Sequence, residues 1–382
     1  MSGIYIHIPF CKKACHYCDF HFSTSLQNKE LLVDALCKEI DDRHDYLTDK
    51  KLSTIYFGGG TPSLLSTSEL NKIISKIKEC FDVTPNIEIT LEANPDDLTA
   101  EKIKEITDAG INRLSIGIQS FFDEDLEGMN RSHNAKQAIQ AVENAKSGGI
   151  NNISIDLIYG LPKSPNPING EKGMEKWAYN LEQAFKLDVP HLSAYCLTIE
   201  EKTAFNQFLR KGKITLPPEP ETIKHFELLM SEAEKHGFIH YEISNFCKEG
   251  QQSKHNSSYW ADEHYLGIGP SAHSYNGVSR QFNVANNSLY IKGINAGAPE
   301  FEMEILTEAN KFNEYIMTRL RTIWGISPGF ISKGFGEGTL NIFLSGAEPY
   351  ISSGHLQWKQ DSLILTQKGK LLADKIASDL FK

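Results

Sequence analysis

A regular alternation of β-rich runs with helical stretches is the feature that most limits the folds open to this chain. Alternation of this kind predicts a parallel sheet whose strands are joined by helical crossovers. A closed eight-unit barrel usually needs roughly 250 residues, whereas only about 200 residues carry the pattern here, so we predict an open, partial (β/α)6 barrel of the TIM type. The predicted strands cover residues 3–8, 54–57, 86–91, 113–118, 153–158 and 191–195.

The pattern changes near residue 220, after the proline-rich stretch 217–220. The following residues, 241–275, are rich in Gly, Asn, His and aromatic side chains. Beyond residue 308 we predict a helix over 308–320, a strand near 363–366 and a final helix over 367–381, a pattern typical of a small α+β domain of winged-helix type. The predicted domains are a barrel (1–240), a connecting segment (241–307) and a C-terminal domain (308–382).

Charge and cysteine content limit the partners and the compartment. The chain has 39 basic and 49 acidic residues and a net charge of -10, which argues against a nucleic-acid groove. No apolar run is long enough to span a bilayer and no signal-peptide pattern is read, although peripheral membrane contact is compatible with the sequence. Seven cysteines, an odd number, favour a reducing cytoplasm over a disulfide framework.

Three of those cysteines, Cys11, Cys15 and Cys18, follow the first predicted strand in the run C-K-K-A-C-H-Y-C. Three thiolates on one loop can bind three irons of a four-iron cluster, which leaves the last iron open to an outside molecule. Three Cys and one His also form a zinc set, with His16 or His21 as the fourth ligand. Spacing favours the cluster, and the zinc site is the alternative.

Polar residues and glycines follow the next strands at the ends where parallel barrels carry their chemistry. The run Gly58–Gly60 with Thr61 follows strand two, where backbone without side chains can approach a ligand. A tight turn is the simpler explanation. Glu92 ends strand three, where its carboxylate is either a partner for a cationic ligand or a capping charge. Gln119 and Ser120 end strand four.

Asp156 lies inside an otherwise apolar fifth strand. A buried carboxylate is costly unless it is paired or bound to a ligand. The two hydroxyls of a ribose are one suitable partner, and an internal ion pair with Arg131 is the other explanation.

Together these residues belong to a series of motifs: I-H-I-P-F-C, G-G-G-T-P, E-A-N-P, G-I-Q-S-F, N-R-S-H and D-L-I-Y-G-L-P. In this order they resemble the oxygen-independent coproporphyrinogen III oxidase family of radical S-adenosylmethionine (SAM) proteins, and within it the HemW-type heme chaperones. The resemblance implies a [4Fe-4S] cluster on the three cysteines, with SAM chelating the open iron through its amino and carboxylate groups. It implies SAM contacts from Tyr5, Gly59, Gly60, Thr61, Glu92, Gln119, Arg131 and Asp156, and places Tyr17 beside the cluster.

Two departures distinguish the sequence from the oxidase itself. The oxidase motif has a further Cys two residues past the third cluster Cys, where this chain has Phe20. The oxidase also carries a substantial segment before its cysteine loop, whereas ten residues precede Cys11 here. Both differences favour the chaperone branch over oxidative decarboxylation.

The segment His255–Trp260 reads H-N-S-S-Y-W and matches the H-N-x-x-Y-W motif that this branch uses for heme. Neutral imidazole is a good axial ligand for heme iron. Tyr259 and Trp260 offer flat apolar faces to a porphyrin. Without the resemblance, a lone His among polar residues is more often a hydrogen-bonded surface group, and His273 is a second candidate ligand.

The leading hypothesis is a cytoplasmic chaperone that holds heme and passes it to an apo-hemoprotein, with the cluster, SAM and an electron donor controlling the process. The second is an oxygen-independent coproporphyrinogen III oxidase, in which an electron from the cluster would split SAM and the resulting radical would abstract hydrogen from the substrate. The third is an interaction protein in which the cysteines form a zinc loop.

Overall fold

The computed structural model describes residues 2–163 and 173–382, and within them a twelve-stranded sheet and a separate two-stranded hairpin. The strands are β1 Ser2–Ile8, β2 Lys51–Gly59, β3 Asp82–Ala93, β4 Arg113–Gln119, β5 Asn152–Tyr159, β6 His191–Cys196, β7 Ile239–Glu242, β8 Asn245–Cys247, β9 Tyr265–Ile268, β10 His273–Tyr275, β11 Ser279–Asn283, β12 Phe301–Ile305, β13 Leu356–Lys359 and β14 Ser362–Leu365.

Helices separate most of these strands. They are α1 Lys29–Asp42, α2 Thr67–Cys80, α3 Ala100–Asp108, α4 Asp123–Gly128, α5 Ala135–Ser147, α6 Gly173–Lys186, α7 Ala204–Arg210, α8 Glu219–Lys235, α9 Lys254–Trp260, α10 Asn287–Asn295, α11 Glu308–Leu320, α12 Pro328–Phe335, α13 Glu337–Ser352, α14 Gln367–Lys370 and α15 Ala373–Asp379.

Strands β1 to β6 pair side by side and in parallel, which confirms the partial (β/α)6 barrel. Within the described residues the strand order is linear, with β12 and β7 at the two edges, so the sheet stays open. The structure adds a seventh parallel strand, β9, which joins β1. The segment 241–307 therefore contributes strands to the main sheet, and the predicted limits of the three domains stay a prediction.

The alternation of side chains along β1 sets the two faces of the barrel. Ile4, Ile6 and Ile8 are fully buried and belong to the main apolar core. Because successive strand residues point to opposite faces, Tyr5 and His7 lie on the other face of the sheet. The sequence thus places two polar rings toward the site while the isoleucines anchor the strand.

Side-chain caps define where several helices begin. Helix α2 starts after a capping box of Ser66 and Glu69, and α5 starts after a capping box of Asn134 and Gln137. Each box satisfies backbone N–H groups that have no partner inside the helix. The caps fix the crossovers that follow β2 and precede β5.

The C-terminal residues form a second apolar cluster, which includes Phe312, Phe343 and Leu380. Its members come mainly from helices α11, α12, α13 and α15 and from the hairpin β13–β14. The predicted final helix over 367–381 is wrong in detail. Leu372 has φ -123° and ψ 23°, which is not helical, so α14 and α15 are separate helices.

No helix in the described ranges combines the length and the apolar character that crossing a membrane would require.

Candidate functional site

The cysteine loop follows β1 and is tied to its neighbours by backbone hydrogen bonds. The Cys11 amide donates to the Ser23 carbonyl (3.0 Å), and the Thr61 amide donates to the Phe10 carbonyl (2.6 Å). The His16 amide donates to the Met129 carbonyl at 3.0 Å. These bonds connect the loop to the turn after β2 and to the end of α4, which fixes the loop at the mouth of the barrel.

All three loop cysteines are free thiols of intermediate exposure. Burial raises the pKa of Cys18 to about 12 and also raises the pKa of Cys11. A thiol of this kind becomes a thiolate readily only beside a strong positive charge, such as a bound metal. The loop therefore suits a metal-bound group better than a free nucleophile.

The structure brings neither loop histidine into a compact metal set with the cysteines. Among the described residues no group of three or more His, Cys, Asp or Glu side chains converges on a single ion. His16 Nδ1 lies 2.8 Å from the Gly128 carbonyl oxygen, and His21 Nε2 lies 2.7 Å from Asn287 Oδ1. A four-iron cluster binds each thiolate to a different iron, so its ligands need not converge on one point.

Arg131 connects the cysteine loop to the strand ends. Its guanidinium donates to Cys15 Sγ (3.4 Å) and Tyr17 Oη (3.3 Å) from one nitrogen, and to Asn94 Oδ1 (2.8 Å) and the Gly117 carbonyl (2.7 Å) from the other. Its third nitrogen, Nε, is buried without a partner among the described residues. Tyr17 therefore lies beside a loop cysteine.

Glu92 places a buried carboxylate at the end of β3. Tyr56 Oη donates to Glu92 Oε1 at 2.7 Å, and the Gly59 amide donates to Oε2 at 3.1 Å. Burial raises the pKa of Glu92 to about 7, although the Tyr56 hydrogen bond opposes the rise. A cationic or N–H-bearing ligand would restore its ionised form.

Asp156 is not paired with Arg131 in the described structure. Its Oδ1 accepts a long hydrogen bond from Ser115 Oγ at 3.5 Å. Burial raises the pKa of Asp156 to about 6, with a hydrogen bond from Ser193 and the charges of Arg113 and Arg131 opposing the rise. Arg131 thus acts on Asp156 through its charge but without a direct ion pair, and ribose binding by Asp156 stays a prediction.

The glycines after β2 permit a close approach between this turn and the end of β1. Gly59 has φ +105°, and a Cβ there would lie 2.5 Å from the His7 ring. A Cβ on Gly60 would lie 2.7 Å and 2.8 Å from the carbonyl oxygens of Phe10 and Ile8. The glycines thus have a packing role, and contact with SAM stays a prediction.

Gln119 ends β4 in the left-handed region, with φ +70°. Such strain in a residue other than glycine is found mostly at functional sites. A Cβ on Gly117 would lie 2.8 Å from Gln119 Nε2 and 3.2 Å from Arg131 Nη2, so this glycine makes room for both side chains. Ser120, by contrast, is fully buried and donates to Asp125, which is a structural role. We call Glu92, Gln119, Arg131, Asp156 and the Gly59–Gly60 turn the strand-end pocket.

His255 lies at the start of α9 and is 1% exposed. Nδ1 lies 2.8 Å from Thr54 Oγ1, and Nε2 lies 2.8 Å from Tyr259 Oη. The ring also stacks on Tyr56 with the centroids 4.9 Å apart. Burial lowers the pKa of His255 to about 3, so the ring is neutral at pH 7.

Both ring nitrogens of His255 are therefore engaged, and iron could reach neither without rearrangement. Leaving a buried polar group without its partner costs about 1–3 kcal/mol. As an axial ligand His255 stays a prediction, and in this structure it anchors the motif.

The other two motif residues, Tyr259 and Trp260, line a cavity of about 710 Å³ between the barrel mouth and the C-terminal helices. Pockets for small ligands commonly measure about 300–1,000 Å³. We call this space the aromatic cavity. Its lining includes Tyr5, His7, Phe20, Tyr259, Trp260, Tyr265, His273, Tyr275, Tyr315, Phe330 and Phe335.

Several known proteins are similar to this chain in sequence or in fold. The model of the radical SAM superfamily matches residues 5–169. The protein named heme chaperone HemW from Bacillus subtilis (strain 168) is 36% identical over 379 residues, which cover 98% of each chain. The protein of the same name from Mycobacterium tuberculosis (strain H37Rv) is 32% identical, over 99% of this chain and 94% of its own.

The chain belongs to the HemW family of radical SAM proteins. A solved structure of the coproporphyrinogen III oxidase HemN from Escherichia coli superposes with a TM-score of 0.83, covering 100% of this chain and 90% of the oxidase. At 22% identity this likeness shows the fold alone. The recognition and the fold class predicted from the sequence are both confirmed.

The residues present fit the groups that the family implies. The loop offers three free thiols, and beside it lie a buried carboxylate, a guanidinium with one unsatisfied nitrogen and a glycine turn that bears no side chains. This donor set suits a three-cysteine [4Fe-4S] cluster with SAM as its neighbour.

Sequence reasoning missed two residues of this HemW-family site. Tyr56 donates to Glu92 and stacks on His255, so it touches both the strand-end pocket and the anchor of the heme motif. Asn94 accepts from Arg131. Asn94 stands within the quoted motif E-A-N-P, and Tyr56 lies two residues before the glycine run, so position relative to those motifs was the available signal.

Proposed function

We propose that this protein is a heme chaperone that binds heme and transfers it to an apo-hemoprotein. We further propose that Cys11, Cys15 and Cys18 hold a [4Fe-4S] cluster with SAM at the open iron. The single observation that carries the proposal is a cavity of heme-compatible volume, lined by aromatic rings that include Phe20, two residues past Cys18 of the cysteine loop. Family membership supports it, because the relatives carry the name heme chaperone HemW.

The cysteine loop and the strand-end pocket would act together. When bound, the cluster supplies an electron-transfer centre that an external donor reduces, with SAM as its ligand. Arg131 holds Cys15 and Tyr17 in position, and Glu92 offers an acceptor for the amino group of SAM. Asp156, whose hydrogen-bond donors among the described residues are the hydroxyl groups of Ser115 and Ser193, is available for a ribose.

The aromatic cavity would hold the cargo. Tyr259 and Trp260 of α9, together with Tyr315 and Phe330 of the C-terminal helices, supply flat apolar surface to its lining. Ring faces of this kind bind a planar macrocycle through dispersion and exclusion of water. Phe20, which replaces the additional Cys of the oxidase motif, is 68% exposed and lines the same cavity. We place the protein in the cytoplasm on its cysteine usage, since all seven cysteines are free thiols.

The test is an anaerobic titration of reconstituted protein with heme, followed by transfer to an apo-hemoprotein. We expect saturable uptake with a shifted Soret band and subsequent loss of that band to the acceptor. Absence of uptake would overturn the chaperone proposal. Sustained formation of protoporphyrinogen from coproporphyrinogen III in a parallel anaerobic assay would replace it with the oxidase. A colourless zinc-loaded protein would instead support the zinc loop.

A further inference from the structure

Two histidines line the aromatic cavity, and only one has a ring free of hydrogen bonds to the described residues. His7 Nδ1 lies 3.1 Å from Tyr5 Oη, and its Nε2 lies 3.0 Å from the His21 carbonyl oxygen. His273 is exposed, and its ring makes only an edge contact with Phe282, with the centroids 4.6 Å apart. His255 does not line the cavity, and both its nitrogens are occupied.

Resting on the proposed function, we propose that His273 is the axial ligand of the heme iron and that His255 is a positioning residue. An axial ligand must present one nitrogen lone pair to the iron. Among the histidines of the cavity, His273 alone does so without breaking a hydrogen bond to another described residue.

The fold places His273 by a close turn between β9 and β10. Gly269 and Ser271 both adopt left-handed backbone, with φ +106° and +63°. A Cβ on Gly267 would lie 1.9 Å from the His273 carbonyl oxygen, so a glycine there is needed for the two strands to approach. His273 then pairs with Phe282 of β11, which fixes its direction. The built turn delivers the imidazole to the cavity wall.

Among the described residues of the cavity lining, one cation is free to pair with a propionate of heme. Arg280 is already paired with Glu314 at 2.8 Å, and Asp262 adds a second carboxylate to the lining. Lys311 lines the cavity and makes no ion pair with a described residue. A propionate is therefore expected at Lys311, since the other cation has its partner.

His255 acts indirectly, because its ring positions the Tyr259 side chain through a hydrogen bond. Its Nε2 is 2.8 Å from the Tyr259 hydroxyl, and its backbone N–H donates to Glu88 Oε1 at 3.1 Å. Tyr259 and Trp260 face the heme in this proposal. Substituting His255 should thus weaken heme binding while leaving the ligand on the iron unchanged.

The experiment records the absorbance and resonance Raman spectra of ferric heme on the full chain and on three variants. Wild type and His255→Ala should both show imidazole-ligated iron, with weaker affinity in His255→Ala. His273→Ala should lose that signature and regain it on addition of free imidazole. His236→Ala, which changes an exposed histidine that does not line the cavity, should match wild type.

A change of ligand type distinguishes loss of the iron ligand from misfolding of the alanine variant. His273→Cys should give the spectrum of thiolate-ligated heme, a change that structural damage does not produce. Lys311→Ala should lower heme affinity by about two- to fivefold without altering the ligand signature, as expected for one exposed charge pair.

The outcomes separate this inference from the proposed function. Loss of imidazole ligation in His255→Ala together with its retention in His273→Ala and an unchanged spectrum in His273→Cys would overturn the inference and assign the ligand to His255. Failure of wild type to bind heme at all would overturn the proposed function instead.

Discussion

The strand-end pocket touches His7 of β1 through Gly59, and the aromatic cavity is lined by Tyr5 and His7, yet the two are built in different ways. Most residues of the pocket lie at or near the carboxyl ends of the consecutive parallel strands β2 to β5, and Arg131 comes from the segment between α4 and α5. The cavity is lined by residues of β1, by Phe20, by residues after position 254 and by the C-terminal helices. These segments are far apart in sequence. The strand-end pocket therefore follows from the strand–helix repeat of the barrel. The aromatic cavity forms only when distant segments of the chain pack together.

A contact chain nevertheless joins the two. Tyr56 donates to Glu92 and stacks on His255, and His255 is hydrogen-bonded to Tyr259 of the cavity wall. Proximity alone does not establish energetic coupling. We expect the two sites to act independently, and an effect of a pocket mutation on heme binding would show that this contact chain couples them.

The largest effect is expected for Cys15→Ala. It removes one of three cluster thiolates, so the iron content of reconstituted protein should fall to background, as measured by iron analysis and visible absorbance. Far-UV circular dichroism should stay close to wild type, since Cys15 is not part of the apolar core. Cys80→Ala, a partly exposed cysteine outside the loop, is the control. An unchanged iron count in Cys15→Ala would refute the ligand assignment.

Glu92→Gln should weaken SAM binding by about ten- to a hundredfold, because a hydrogen bond to a charged group contributes about 1.5–3 kcal/mol. Isothermal titration calorimetry of the reconstituted protein measures the change. Heme affinity should be unaffected if the sites are independent. Glu79→Gln, at an exposed carboxylate, should leave SAM binding as it is. A large loss of heme affinity in Glu92→Gln would show that the chain through Tyr56 couples the two sites.

Gly60→Ala should lower the free energy of unfolding by about 1–3 kcal/mol, the usual cost of overpacking. The added Cβ would meet the backbone oxygens of Phe10 and Ile8, which cannot rotate away. Urea denaturation of the cluster-free protein checks the value. Gly338→Ala in α13 meets no atom within 4 Å and should be neutral or slightly stabilising. Equal stability of the two variants would remove the packing role assigned to Gly60.

The smallest effect is the pH dependence of SAM binding in wild type. Burial raises the pKa of Glu92 to about 7, so the carboxylate is mostly ionised at pH 8 and mostly protonated at pH 6. SAM affinity should therefore fall by up to about tenfold as the pH drops across that range. Asp156, with a pKa of about 6, protonates in the same direction at slightly lower pH. Glu92→Gln should make SAM affinity independent of pH in the upper part of this range. A slope that persists there would show that a group other than Glu92 titrates.

The parallel barrel and the order of residues at its mouth follow from local signals in the sequence. These signals are strand and helix periodicity, the cysteine spacing and the strand-end positions of Glu92 and Gln119. Parallel strands present their carboxyl ends at one edge, and this geometry turns local position into spatial proximity. The sequence could not reveal β9 as a seventh parallel strand, because pairing with β1 joins residues more than 250 positions apart.

The availability of the side chains in the H-N-S-S-Y-W segment depends on tertiary packing. The letters H-N-S-S-Y-W suggest an available imidazole, but packing against Thr54 and Tyr56 buries His255 and occupies both its nitrogens. His273, on another strand, lines the aromatic cavity with a ring that contacts Phe282 but makes no hydrogen bond to a described residue. The sequence gives the chemical type of each side chain. Whether a ligand can reach that side chain depends on neighbours that folding brings from elsewhere in the chain.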